Sequence, residues 1–336
     1  MKKLSRRSIF CLGALPICGW SHQAQSAGHS KAVLVTDFGA IGDGRVDDTA
    51  ALTKAHTSGQ KLFYPKPAAF YRITRALPVS GPARGDGAEI RIVGNGHGST
   101  AIFNITGNKK PIELSGFILD GGYRGGADGE WSHGIDMRGA RDVSITGNTI
   151  RNTYGDSIYV GSLNASAASS NIRIAGNSLR NPRRCNIAVV CGQDILISDN
   201  IVSKLSSYVA AIDLEPNANG FDFVRDVRVL GNRFDTAGVF CMASVSNGVD
   251  NTGLVMRSNR GHAWRFFHVH HNARLNGALI TQNEFTAVRP DGMMFLFSQA
   301  KNCVLSGNRD RTACRQGYRS ARFDDSTVRL SRNVFC

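Results

Sequence analysis

"DVSITGNTI", residues 142–150, alternates polar and apolar residues and then breaks into Gly-Asn before an apolar residue returns. Period-two alternation marks a strand with one buried face, and Gly-Asn tolerates the backbone angles of a tight corner. The phrase comes back as "NIRIAGNSL" (171–179), "DILISDNIV" (194–202) and "DVRVLGNRF" (226–234). Looser copies are "EIRIVGNG" (89–96), "GLVMRSNR" (253–260), "ALITQNEF" (278–285), "CVLSGNRD" (303–310) and "TVRLSRNVF" (327–335). The asparagines Asn148, Asn177, Asn200, Asn232, Asn259, Asn283, Asn308 and Asn333 are separated by 29, 23, 32, 27, 24, 25 and 25 residues. Strands recurring at that interval, with no helical stretch between them, make the turns of a parallel β-solenoid. Stacked at one corner, the asparagines would form an internal amide ladder that satisfies buried turn backbone, a structural role.

A second strand precedes each asparagine strand: "HGIDMRG" (133–139), "DSIYVG" (156–161), "CNIAVV" (185–190), "AAIDLEP" (210–216), "VFCMAS" (239–244), "FFHVHH" (266–271) and "MMFLFS" (293–298). Aligning them on one inward apolar residue gives Ile135, Ile158, Ile187, Ile212, Phe240, Phe267 and Met294. The outward column beside it runs Asp136, Tyr159, Ala188, Asp213, Cys241, His268, Phe295, and the next outward column holds Arg138, Glu215 and His270. Titratable groups thus share one face over several coils. From Asp136 to His268 is five coil steps, about 24 Å at the inter-strand spacing, which implies a long shallow groove. Asp213 and Glu215, two apart on one strand, are expected to be exposed neighbours with Cβ atoms roughly 6–7 Å apart.

The stretch "VTDFGAIGDGRVDDTAAL" (35–52), followed by "KLFYPKPAAFYRIT" (61–74), resembles the opening of the pectate-lyase-like β-helix superfamily. The resemblance implies a short helix capping the N-terminal end, with Asp47 or Asp48 as its cap and an end near residue 57. With the repeat it covers essentially all of residues 33–336 and gives the expected fold class: all-β, a single-stranded right-handed parallel β-helix with a short N-terminal capping helix. The superfamily holds lyases, hydrolases, epimerases and phage tail spikes, so the signature speaks to fold and not to activity. "NTYGDS" (152–157) is similar to merged pieces of the polygalacturonase motifs, with Tyr154 and Ser157 standing where that family has acids.

The chain has 336 residues and a formal net charge of +14. Its start, "MKKLSRRSIFCLGALPICGW", joins a basic beginning to a short apolar run and then "AQSA", which reads as an export signal over residues 1–27, twin-arginine-like or plainly secretory. The expected domains are therefore 1–27, removed, and 28–336, one β-helix, with a periplasmic or secreted location and no membrane contact after removal. Taking four basic residues from 40 leaves 36 against 26 acids, a net +10. That balance suits an acidic polysaccharide; scattered arginines and few aromatics do not indicate nucleic acid. A monomer is expected. Six cysteines remain, with no zinc spacing, and a bridge between Cys314 and Cys336 would staple the fraying end of the solenoid.

Three functions fit such a groove. Glycoside hydrolysis needs a proton donor and a base or nucleophile, for which Asp213 and Glu215 are the adjacent pair, with His268 and His270 orienting substrate or carrying a proton. Elimination or epimerisation at a uronate needs a base such as Tyr159 or His268, a group such as Arg138 to neutralise the carboxylate, and, for a lyase, a calcium ion held by Asp136, Asp213 and Glu215. A noncatalytic glycan-binding solenoid needs only the groove. The glycine-rich excursion "GYRGGADGEWSHG" (122–134) would wall one end, with Trp131 stacking on a sugar and Glu130 or His133 nearby. Asp136, Arg138, His270 and Trp131 are the expected substrate contacts. The hydrolase reading takes precedence because its acids share one strand.

Overall fold

The computed structural model describes residues 31–94, 100–126, 129–204, 209–244, 249–314 and 318–336. The expected export segment, 1–27, lies outside the described residues. Parallel strands wind a β-solenoid of about ten turns. Among the described residues there is one α-helix, α1, which spans Thr49–Thr57 and ends where the sequence implied. The two expected capping acids divide the work. Asp47 accepts hydrogen bonds from the Thr49 backbone N–H and hydroxyl, while the Asp48 carboxylate turns back to accept the N–H groups of Ile41, Gly42 and Arg72. Asp48 thereby ties the "GAIGDG" loop to the first coil.

The asparagine corner is a continuous ladder. Each Asn Nδ2 donates to the Oδ1 of the asparagine one coil on, from Asn148 through Asn177, Asn200, Asn232, Asn259, Asn283 and Asn308 to Asn333, at 2.9–3.1 Å. The same oxygens also accept the backbone N–H of the preceding asparagine, at 2.9–3.1 Å. No amide in this buried corner is wasted, which is why the residue type repeats where a serine or glycine would turn the chain as easily.

The strand face that carries the candidate groove is a ten-stranded parallel sheet. Its strands are β1 (Leu77–Pro78), β2 (Phe103–Thr106), β3 (Ile135–Arg138), β4 (Ile158–Gly161), β5 (Ile187–Val189), β6 (Ile212–Leu214), β7 (Val239–Ala243), β8 (Arg265–Val269), β9 (Met293–Phe297) and β10 (Ala321–Phe323). The remaining strands wrap the other faces in one 23-stranded sheet. The inward column is Ile135, Ile158, Ile187, Ile212, then Cys241, Phe267 and Phe295. Phe240 and Met294 therefore sit one position off the expected column, and Met242 and Leu296 take the outward places expected for Cys241 and Phe295. The reason is packing at the strand entrance, where consecutive residues turn into the core. Phe240 is fully buried there, stacked on Phe234 at 4.0 Å and near Phe266 at 5.5 Å, so bulk and burial alone could not fix the register.

Cys314 and Cys336 form the expected disulfide at the last coils. Cys185, Cys191, Cys241 and Cys303 are free and buried. Among the described residues no helix is long and apolar enough to cross a membrane.

Candidate functional site

On the outer surface of the ten-stranded sheet, Asp136, Tyr159, Ala188, Asp213, Met242 and His268 pair in register across β3 to β8. Beside them Arg138 pairs with Gly161, and Glu215, Ser244 and His270 follow their strands in sequence. The charged groups do not spread evenly along this line.

One group forms around Tyr159. Its ring lies flat along β4, which only a glycine next along that face permits: a Cβ on Gly161 would meet the ring carbon at 2.5 Å and the hydroxyl at 2.8 Å. The ring stacks on His133, centroids 4.8 Å apart and planes 17° apart, and packs with Cys185, Ala188 and Val190 in an apolar patch outside the solenoid core. Burial pushes the phenol up to about 12, although the nearby Arg138 cation opposes that. The Arg138 guanidinium lies 4.7 Å from the Tyr159 ring centroid and 6.0 Å from that of Trp131, which is half exposed. Its Nε donates to Asp136 at 3.1 Å. Burial raises the Asp136 carboxyl against the pull of Arg138.

The other group forms around Arg184. Its guanidinium bridges Glu130 at 3.0 Å, Glu215 at 3.4 Å and Asp156 at 3.9 Å. Asp156 is wholly buried, raised to about 6 by desolvation, and accepts the Cys185 N–H at 2.9 Å. The Asp156 N–H donates to His133 Nδ1 at 3.0 Å, which assigns the imidazole proton to Nε2. Burial, aided by Arg138 and Arg184, pushes His133 down to about 3, so the ring is neutral.

Asp213 corrects an expectation. It is not an exposed neighbour of Glu215 but 1 % exposed, on β6 between Ala188 and Met242. Neighbouring coils stand close enough to close over so short a side chain, whereas Glu215 reaches past them and keeps a third of its side-chain surface. Desolvation and the Glu215 charge raise the Asp213 carboxyl, while Ser244 and Arg184 oppose the shift. Glu215 is raised as well, by desolvation and Glu130 against Arg184. The pair holds a proton more readily than two free carboxyls would.

His268 lies two strand spacings from Asp213, about 10 Å, with Met242 between. Burial and Arg265 push it down to about 4. His270 faces His271 at 4.0 Å between ring centroids and is also lowered by desolvation. The histidines therefore belong to a farther stretch of the groove and share no reacting centre with Tyr159 or the carboxyl pair. The calcium set does not assemble either: Asp136 is three strands from Asp213, about 14 Å, and among the described residues no three His, Cys, Asp or Glu side chains cluster as a metal site.

Sequence reasoning placed Tyr159, Arg138, Asp136 and Trp131 on this face and missed Arg184 and Asp156, which organise it. A signal was there. His133, Asp156 and Cys185 head the aligned segments "HGIDMRG", "DSIYVG" and "CNIAVV", a column at the strand entrance that the inward/outward alternation does not describe.

No family model matches the chain. Over 133 residues it is 36% identical to "Alginate lyase 7" of Azotobacter vinelandii, a match that covers 38% of this chain and 14% of that protein. The chain thus spans a small part of that relative's length. Two solved structures share the architecture: the Streptococcus pneumoniae surface protein and adhesin PfbA (TM-score 0.62, 14% identity, 90% of this chain and 97% of that one) and the A-module of the Azotobacter vinelandii mannuronan C-5 epimerase AlgE4 (TM-score 0.58, 15% identity, 90% and 96%). At these identities the likeness establishes the fold, a right-handed parallel β-helix of the kind implied by the N-terminal signature.

Proposed function

We propose that the chain is an exported enzyme that acts on an acidic polysaccharide by proton abstraction beside a uronate carboxylate, as a lyase or epimerase. The observation that carries this reading is Arg138 laid against Tyr159. Among the described residues the guanidinium hydrogen-bonds only Asp136, through Nε, so its outer nitrogens are available to a carboxylate held next to a phenol. A uronate carboxylate on Arg138 loses the charge that would oppose formation of the carbanion, the largest barrier in elimination and epimerisation alike. Tyr159 accepts the C5 proton as its phenolate, a form that the Arg138 cation favours against the burial that opposes it. Glu215 stands two strand spacings from Tyr159, about 10 Å, and takes no part in that transfer. Trp131 offers a face for the sugar ring. The names borne by the alginate lyase and the C-5 epimerase favour the same chemistry.

Hydrolysis by Asp213 and Glu215 is the second reading, favoured by their unequal environments: one carboxyl buried, the other half open. A panel of alginate, polygalacturonate and other polyuronates separates the two. Unsaturated uronate absorbance, or uptake of solvent deuterium at C5, supports proton abstraction; reducing ends without either supports hydrolysis and rejects our reading. No change in any polymer, with binding retained, would leave a glycan-binding solenoid.

A further inference from the structure

A cavity of about 620 Å³ lies away from the groove face. It lies on the short strands that follow the asparagine corner: Ser178–Arg180, Ile201–Lys204, Arg233–Thr236, Arg260–Ala263 and Glu284–Ala287. In one outward column Ile201 pairs with Arg233, Arg233 with Arg260 and Arg260 with Glu284; in the other, Ser203 pairs with Asp235 and Asp235 with His262. Arg180 closes one end.

The charges here are unbalanced. Glu284 is already taken by Arg311, at 3.0 Å. Arg180 donates through Nε to Ser178 Oγ at 2.7 Å and makes no ion pair among the described residues, and neither Arg233 nor Arg260 does so. Arg233 and Arg260 stand directly opposite each other on adjacent strands, about 4.8 Å apart, where like charges repel. One strand further the signs alternate, with Glu284 opposite Arg260, and Asp235 shares the face with Arg233, so the lining holds three arginines against two acids. Between the arginines the floor is shallow and partly apolar. Ile201 is 50% exposed, and the strand at Gly261 lies so close to Phe234 that any side chain there would strike the Phe234 carbonyl.

We infer that this cavity is a second, noncatalytic binding site for an anionic polysaccharide, with Arg180, Arg233 and Arg260 receiving successive carboxylates and Ile201 lying under a sugar face. An anion bridging Arg233 and Arg260 removes their repulsion, and repeated acidic groups on one chain match cations repeated at the coil spacing. Nucleic acid would ask for a series of stacking platforms, and of the rings lining the cavity Phe234 and Phe285 are buried, which leaves His262 alone exposed. The site stands on its own observations. It does not require that the Tyr159 face turn substrate over, and its test reads binding alone.

The test measures affinity for alginate and for polygalacturonate by titration calorimetry in the Tyr159→Phe background, which keeps the polymers intact. Arg233→Gln/Arg260→Gln should weaken binding to at least one polymer tenfold or more and flatten its salt dependence. Arg225→Gln/Arg228→Gln, equal in charge change on the neighbouring strand Val224–Leu230, should cost less than threefold. Equal losses in the two double variants, unchanged affinity for both polymers, or a single-stranded oligonucleotide bound more tightly at this cavity than either polymer would overturn the inference. Melting curves for each variant identify any loss that comes from unfolding.

Discussion

Replacing Asn232 by alanine probes the ladder at its middle. Four hydrogen bonds go: Nδ2 to the Ile197 carbonyl at 3.0 Å, Nδ2 to Asn259 Oδ1 at 3.0 Å, and those that Oδ1 accepts from the Asn200 N–H at 2.9 Å and the Asn200 Nδ2 at 3.0 Å. Asn200 Nδ2 keeps its bond to the Ile174 carbonyl, and Asn259 Oδ1 keeps the backbone N–H of residue 232. The unrelieved damage is one buried backbone N–H, that of Asn200, and one acceptor, Ile197 O. At roughly 1–3 kcal/mol for each buried group left unsatisfied, partly relieved by water entering the alanine gap, the substitution should cost about 2–4 kcal/mol. Urea unfolding followed by circular dichroism should show the midpoint falling at nearly constant slope. Asn333→Ala, at the partly exposed end of the ladder, should cost about 1–2 kcal/mol by the same reasoning. A loss below about 1 kcal/mol at Asn232, or equal losses at both positions, would refute the ladder as a major support of the fold.

Other outcomes follow from the site and the ends of the solenoid. Gly161→Ala should push the Tyr159 ring off β4 and lower turnover tenfold or more while the melting temperature moves little, as read by kinetics beside calorimetry. His56 and His133 are buried and neutral, each pushed down to about 3. Unfolding lets them take up protons near pH 6.5, so stability is full above that value and is lost as pH falls toward about 3; melting scans from about pH 7 to about pH 4 should show this, with a shallower fall in His133→Gln. Reduction of Cys314–Cys336, which closes 22 residues, should destabilise the last coils by about 3 kcal/mol and open them to proteolysis without changing turnover.

The solenoid was legible because a buried corner repeats its chemistry: eight asparagines mark eight coils, and alternation within each strand points the core inward. Register at β7 and β9 was not, since "VFC" and "MMF" place several apolar residues in succession and the entrance corner buries all of them but Met293, which is partly exposed. For the site, alternation located Asp136, Arg138 and Tyr159 but said nothing of depth. Asp213 alternates outward as Glu215 does, and only the closeness of neighbouring coils separates a buried acid from an exposed one. Arg184 lies before its strand, at a corner whose direction no period-two pattern encodes, although it joins Glu130, Asp156 and Glu215 across four coils.

The most direct measurement of the proposed chemistry is product analysis on a polyuronate in deuterated water, for the native chain, Arg138→Ala and Tyr159→Phe at matched folding. The account predicts unsaturated uronate ends or deuterium at C5 in the native reaction, with the rate down a hundredfold or more in both variants. Reducing ends that accumulate with neither mark, or native rates in Tyr159→Phe, would contradict it.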